Sequence, residues 1–170
     1  MSSLFILEKH MAVIAVTMDH KTDYVSNRDP AKKMVQKETG LKNDQGEELF
    51  DLVEEIDWDL ATVFELGPLD QRTYTRILDG AMNVTQGSGI QMKTNQSNYE
   101  VVQYGLKGWR NFVDGNGKQL PFLSEKKPVG SATYTVATDQ TLSALGSDMI
   151  KELAAQIKLL SQVSVEQVKN

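Results

Sequence analysis

Cysteine is absent from all 170 residues, which removes disulfides, thiolate metal ligands and thiol nucleophiles in one step. Histidine is scarce: His10 and His20 could supply only part of a zinc site. Aromatic residues make up 7% of the chain and apolar residues 40%, which suits a modest core with extended arms better than a compact enzyme. The longest apolar run, around Met11 to Val16, is far too short to span a bilayer. The start of the chain also lacks the basic residues and small-residue cleavage site of a signal peptide, so a cytosol-like compartment is expected. Net charge is −5, which argues against a dedicated DNA binder.

The charges are segregated along the chain. Between Asp44 and Asp59 lie eight acids and no base, while Lys21 to Lys42 holds six bases against three acids. A basic segment therefore runs directly into an acidic one. Solvated loops and a helix face account for this pattern simply. The sharper reading is head-to-tail complementarity between neighbouring copies, in which Arg28, Lys32 and Lys33 meet acids such as Glu54 and Glu55 of the next copy.

Periodicity outlines the elements. Met11 to Met18 is short and rich in β-branched residues, which predicts a strand. Residues 19–46 show no sustained period and contain Asp29-Pro30, Gly40 and the turn-like Asn43-Asp-Gln-Gly46, so they are expected to form a flexible or partner-binding arm. Leu49, Leu52, Val53 and Ile56 fall at helical spacing and predict a short amphipathic helix in the acidic segment. Thr62 to Leu66 alternates as a half-buried strand, stopped by Gly67-Pro68. Asp70 is placed to cap a helix through Met82, with Tyr74, Ile77, Leu78, Ala81 and Met82 on its apolar stripe. Residues 83–96 look like a polar loop. Ser97 with Glu100 has the form of a capping box for a helix ending at Gly108. Phe112-Val113 and Leu120 to Phe122 flank two hairpin dipeptides in Asp114-Gly-Asn-Gly117, and Ser131 to Ala137 alternates as a strand. Leu142, Met149, Ile150, Leu153, Ile157 and Leu160 predict one long closing helix from Thr141 to Leu160, and Ser164 with Gln167 predicts a further start. The expected class is α+β: a small antiparallel sheet with three to four helices, a long C-terminal helix and an N-proximal arm, in a single domain over residues 1–170.

No reactive constellation emerges, so no catalytic, cofactor-binding or metal-ligating residue is assigned and the chain is read as non-enzymatic. Asp114-x-Asn116 begins like a calcium loop, but Lys118 stands at its fifth position and a glycine comes too early. Gln86-Gly-Ser-Gly89 lacks the lysine of a phosphate loop, and Ser88 lacks the spacing of a nucleophile elbow. Eight acids on one short solvent-facing segment do not provide the desolvated carboxyl that glycoside chemistry requires.

What remains is shape. In Tyr104 to Phe122 nearly every residue serves a turn or a bulky contact. Trp109 and Phe112 can plug the space between helix and hairpin, or, with Arg110, anchor a partner. Trp58, between Asp57 and Asp59, is the better contact residue, because core tryptophans rarely have aspartate on both sides.

Three stretches carry a resemblance. They are Phe64-Glu-Leu-Gly-Pro-Leu69, then Gly105-Leu-Lys-Gly-Trp-Arg-Asn-Phe-x-Asp-x-x-Gly117 with the following Pro121-Phe122, and Glu152-Leu-Ala154 ahead of Lys169-Asn170. Over roughly residues 60–170 the chain resembles a heterogeneous group of small proteins from tailed-bacteriophage morphogenesis modules. Tyr24-Val-Ser-Asn-Arg-Asp-Pro30 adds a further shared stretch. Some members resemble head–tail connector or neck components that stay in the virion. Others are tail assembly chaperones that leave before completion. The resemblance implies a structural part made in the host cytoplasm, contacting copies of itself and other phage proteins without cofactors, membrane or sequence-specific nucleic acid.

Overall fold

The computed structural model describes residues 20–85, 89–92 and 94–166. The strand expected at Met11–Met18 lies outside them, as do Ser88 and Gln167. The α+β expectation is met: short antiparallel sheets are combined with four helices, the last of them long.

The centre of the fold is a three-stranded antiparallel sheet in the order β1 (Thr22–Val25), β4 (Val63–Leu66), β7 (Leu106–Arg110). Its middle strand, β4, carries Val63, Phe64 and Leu66 fully buried. Helix α2 (Thr94–Gly105) contributes Val101, Val102 and Tyr104 to the same core and leads directly into β7. Helix α4 (Ser147–Glu166) closes the core with Leu153, Ala154 and Ile157, and α1 (Gln71–Ala81) adds Ile77. The hairpin of β8 (Ser124–Val129) and β9 (Ala132–Ala137) contributes Val136 and Ala137, and the short α3 (Asp139–Ser143) adds Leu142. Between α1 and α2 the backbone forms a small hairpin of β5 (Met82–Thr85) and β6 (Gly89–Met92) where a loop was expected.

One hairpin stands apart. Among the described residues, strands β2 (Lys32–Lys42) and β3 (Glu48–Ile56) pair only with each other, as a two-stranded antiparallel ribbon. Within the stretch expected to form an arm, residues 22–25 are β1 and residues 32–42 are β2. One sequence expectation is corrected here: the acidic segment is a strand instead of a helix. The physical reason is non-local pairing: β2 offers β3 a full hydrogen-bond ladder, which local helical spacing over eight residues does not outweigh. The expected turn at Asn43–Gly46 is present. Asn43 Oδ1 accepts the amides of Gln45 and Glu47, and Gly46 takes a positive φ of 83°.

The helix boundaries also move. The β5–β6 hairpin delivers the chain to α2 three residues ahead of Ser97, which is buried inside the helix instead of capping it. The helix ends at Gly105, not Gly108, because Leu106 is drawn into register beside Leu66. Ile157 packs so tightly there that a Cβ on residue 105 would lie 2.5 Å from its Cγ2. The expected closing helix is split, with Leu145 buried between α3 and α4, and α4 passes through Ser164 without restarting. The Asp70 cap is as expected: its carboxylate accepts the Thr73 amide at 2.8 Å and the Thr73 hydroxyl at 2.9 Å.

Candidate interaction surface

The ribbon places apolar side chains where no other part of the described chain covers them. Side chains alternate faces along a strand, and directly opposed residues share a face. The pairs Met34–Glu54, Gln36–Leu52 and Glu38–Phe50 therefore gather Met34, Leu52 and Phe50 on one side, while Val35–Val53 lies on the other. Leu52 is 66% exposed, and Met34 and Phe50 are each more than half exposed. Burying such a side chain contributes about 1.5–3 kcal/mol, and the isolated ribbon forgoes that gain. A two-stranded hairpin alone in water is marginal.

The ribbon is nonetheless held firmly at its foot. Asp29 receives the amide of Ala31, just before β2, on one carboxylate oxygen at 2.8 Å. Its other oxygen takes the amide of Thr62, just after the ribbon returns, at 2.9 Å. Asn111 is the one described non-glycine residue with positive φ, at 56°. From that conformation its side-chain amide donates to the carbonyls of Asp59 and Ala61. Ile56 and Ala31 pack on a small second core of Val25, Ala61 and Val63.

A second anchor ties the approach to the ribbon to α4. Glu152 accepts hydrogen bonds from the Tyr24 hydroxyl, the Ser26 hydroxyl and the Asn27 amide, all within 3.0 Å. Burial works against the Glu152 charge, but these donors and nearby Arg28 outweigh it and hold the carboxyl below its ordinary pKa. Burial, followed by the Glu152 carboxylate, pushes the Tyr24 hydroxyl well above the ordinary tyrosine range.

The residues singled out from the sequence fall into three groups. Arg28, Lys32, Lys33, Glu54 and Glu55 lie on or beside the ribbon, but much of their pairing is within the chain. Lys32 meets Glu54 at 3.1 Å, and Arg28 meets Asp148 of α4 at 3.1 Å. Glu55 pairs with Lys37 at 2.8 Å. Trp58 lies in the turn at the ribbon's return, 53% exposed, beside Leu60 at 74%. Close by, an open groove of about 440 Å³ is lined by Pro30, Lys33, Val35, Glu55, Ile56 and Leu60, among others.

Trp109, Arg110 and Phe112 are placed differently. Trp109 donates its indole N–H to the Leu120 carbonyl at 2.8 Å and packs edge-on against Phe112 and Phe122. Phe112 also contacts Phe64 of β4. These rings fill the space between sheet and hairpin. Arg110 pairs with Asp23 across the sheet. In the hairpin turn, Asp114 Oδ1 accepts the amides of Asn116 and Lys118, so the calcium-like triplet serves as a turn cap.

Sequence reasoning did not find Asp29, Asn111, Tyr24 and Glu152, which mount the ribbon, nor Met34 and Phe50 on its face. Asp29-Pro30 and Asn111 carried only the general signal of residues that favour turns. A second cavity, of about 470 Å³, lies by Asn98, Tyr99, Leu145 and Ile150 and offers a single charged side chain, Lys151. Among the described residues no group of three or more histidine, aspartate or glutamate side chains could hold a metal ion. Among the same residues no helix is long and apolar enough to cross a membrane. Comparison with protein-family models, curated proteins and solved structures finds no match to this chain.

Proposed function

We propose that the chain is a non-enzymatic structural component of a tailed-bacteriophage virion, acting in multiple copies at the head–tail region or tail through protein–protein contacts. It would be made in the host cytoplasm and would need no cofactor. The observation that carries this reading is the ribbon: a firmly mounted projection with Met34, Phe50 and Leu52 exposed on one face. Such a patch on a small protein marks an interaction site. The motif resemblance over residues 60–170 supplies the phage context, and the ribbon supplies the means of contact.

A second reading draws on the same exposed side chains. A tail assembly chaperone shields apolar segments of a partner until assembly is complete, and a mobile partner segment could lie along this ribbon face. Mass spectrometry of purified particles separates the two. A structural part is present in a fixed ratio to the major virion proteins. A chaperone is found in the infected-cell lysate and is missing from the particle.

A further inference from the structure

We infer that copies of this chain join by pairing the outer edge of β2 in one copy with the outer edge of β3 in the next, so that each copy adds a ribbon to a shared antiparallel sheet. This rests on the multi-copy reading above and names the partner the ribbon takes: a second copy of the same chain.

The first observation is that both outer edges are open. Among the described residues β2 and β3 are hydrogen-bonded only to each other, leaving one row of backbone donors and acceptors on each strand without a neighbouring described strand. The strands are long, 11 and 9 residues, with no proline in either and with their register irregularity confined to the tip between Glu38 and Lys42. Proteins ordinarily shorten, bend or cover such edges.

The second observation is the sign of charge on each strand. β2 carries four lysines against one glutamate, a net of +3. β3 carries Glu48, Asp51, Glu54 and Glu55 and no base, a net of −4. Two β2 edges brought together would set lysine against lysine, and two β3 edges acid against acid, at the strand spacing of about 4.8 Å. Both two-fold arrangements are therefore penalised, while β2 against β3 is attractive. The charges select a head-to-tail contact, which can repeat from copy to copy, over a closed two-fold dimer.

The third observation is that part of this charge is uncommitted. Lys32 and Lys37 pair with Glu54 and Glu55 inside the ribbon. Lys33 and Lys42 on one strand, and Glu48 and Asp51 on the other, form no ion pair among the described residues, although Lys42 stands opposite Glu48, and Asp51 opposite Lys37, in the ribbon register. Direction also fits. Within a copy β2 and β3 run oppositely, so in a head-to-tail array the β3 of the next copy runs antiparallel to β2. The extended sheet is antiparallel throughout.

The test uses the full chain and two double variants, Lys33→Glu with Lys42→Glu, and Glu48→Lys with Asp51→Lys, followed by sedimentation velocity across a concentration series. The wild-type chain is expected to associate beyond a dimer. Each variant alone carries charge of one sign at positions 33, 42, 48 and 51 and is expected to need at least tenfold higher concentration. An equimolar mixture of the two variants, in which opposite charges again meet at these positions, is expected to recover association. So is the single chain carrying all four substitutions, in which the charges at these four positions have exchanged sign. Thermal melting of each variant confirms that it is folded. Association of both variants equal to wild type, or no recovery on mixing, overturns the edge contact and leaves the multi-copy reading standing. A wild-type chain that stays monomeric overturns the inference. The presence of the chain in purified particles, read separately, decides the broader reading.

Discussion

Glu152 of α4 accepts a 2.8 Å hydrogen bond from the hydroxyl of Tyr24 on β1, joining two points 128 residues apart in the chain. The same carboxylate oxygen also takes the Ser26 hydroxyl and the Asn27 amide, so it fixes the segment that leads into the ribbon. The projection is thus aimed by the body of the fold. An interaction element mounted this way meets its partner with less ordering entropy to lose than a free arm would.

Replacing Glu152 with glutamine is expected to lower stability at neutral pH by about 1–3 kcal/mol, because charge-assisted acceptance from three donors is lost. The sign of the pH dependence follows from the depressed folded-state pKa of this carboxyl. Its contribution is complete above the ordinary glutamate value of about 4.3 and is lost as pH falls through the lower folded value. Urea titrations at pH 7 and pH 3 check this: the difference between wild type and Glu152→Gln should shrink in acid. A difference that is constant with pH would contradict the ionised-acceptor role.

Asp29 uses both carboxylate oxygens on backbone amides, those of Ala31 and Thr62. Asn at this position can accept with only one, and its NH2 would then face an amide donor. Asp29→Asn is expected to loosen the foot of the ribbon while leaving the main core in place. Hydrogen–deuterium exchange should show faster exchange at the foot of the ribbon, from Ala31 to Thr62, with α2 and α4 unchanged. Equal acceleration throughout the protein would instead make Asp29 a residue of global stability.

Gly105→Ala is expected to cost about 1–3 kcal/mol through overpacking. The added Cβ would meet three Ile157 side-chain atoms at 2.9 Å or less, and Ile157 is fully buried. Adding Ile157→Val, which removes Cδ1, should recover part of the loss. Denaturant unfolding of the two single variants and the double variant measures the coupling. Strict additivity would refute the contact.

Local signals were legible where local chemistry decides. Asp70 is the cap it was read to be, β4 buries Val63, Phe64 and Leu66, and β9 turns Val136 inward. The α+β class follows from such elements. The ribbon was not legible, because Leu49, Leu52, Val53 and Ile56 fit a helical stripe as well as a strand. With neither face of β3 before Ile56 covered by another element of the described chain, apolar residues occur on both sides and the two-residue alternation is blurred. What made it a strand is its pairing with β2, information that lies outside the segment. The end of α2 was misplaced for a related reason: Gly108 and Gly105 both look like helix stops, and only the approach of Ile157 distinguishes them. For Trp109 the sequence fits both a core plug and a partner anchor, and the indole N–H donated to the Leu120 carbonyl distinguishes them.

The central claim is that the ribbon serves association while the rest of the described chain supplies the fold. Its most direct test is sedimentation and thermal melting of a chain carrying Met34→Ser, Phe50→Ser and Leu52→Ser. These three side chains lie on one exposed ribbon face outside both core clusters. The account predicts a melting temperature within about 3 °C of wild type, as for surface substitutions, together with loss of self-association at concentrations where the wild type assembles. Undiminished association with the same melting temperature would contradict it, as would a collapse of melting temperature showing those side chains to be part of the core.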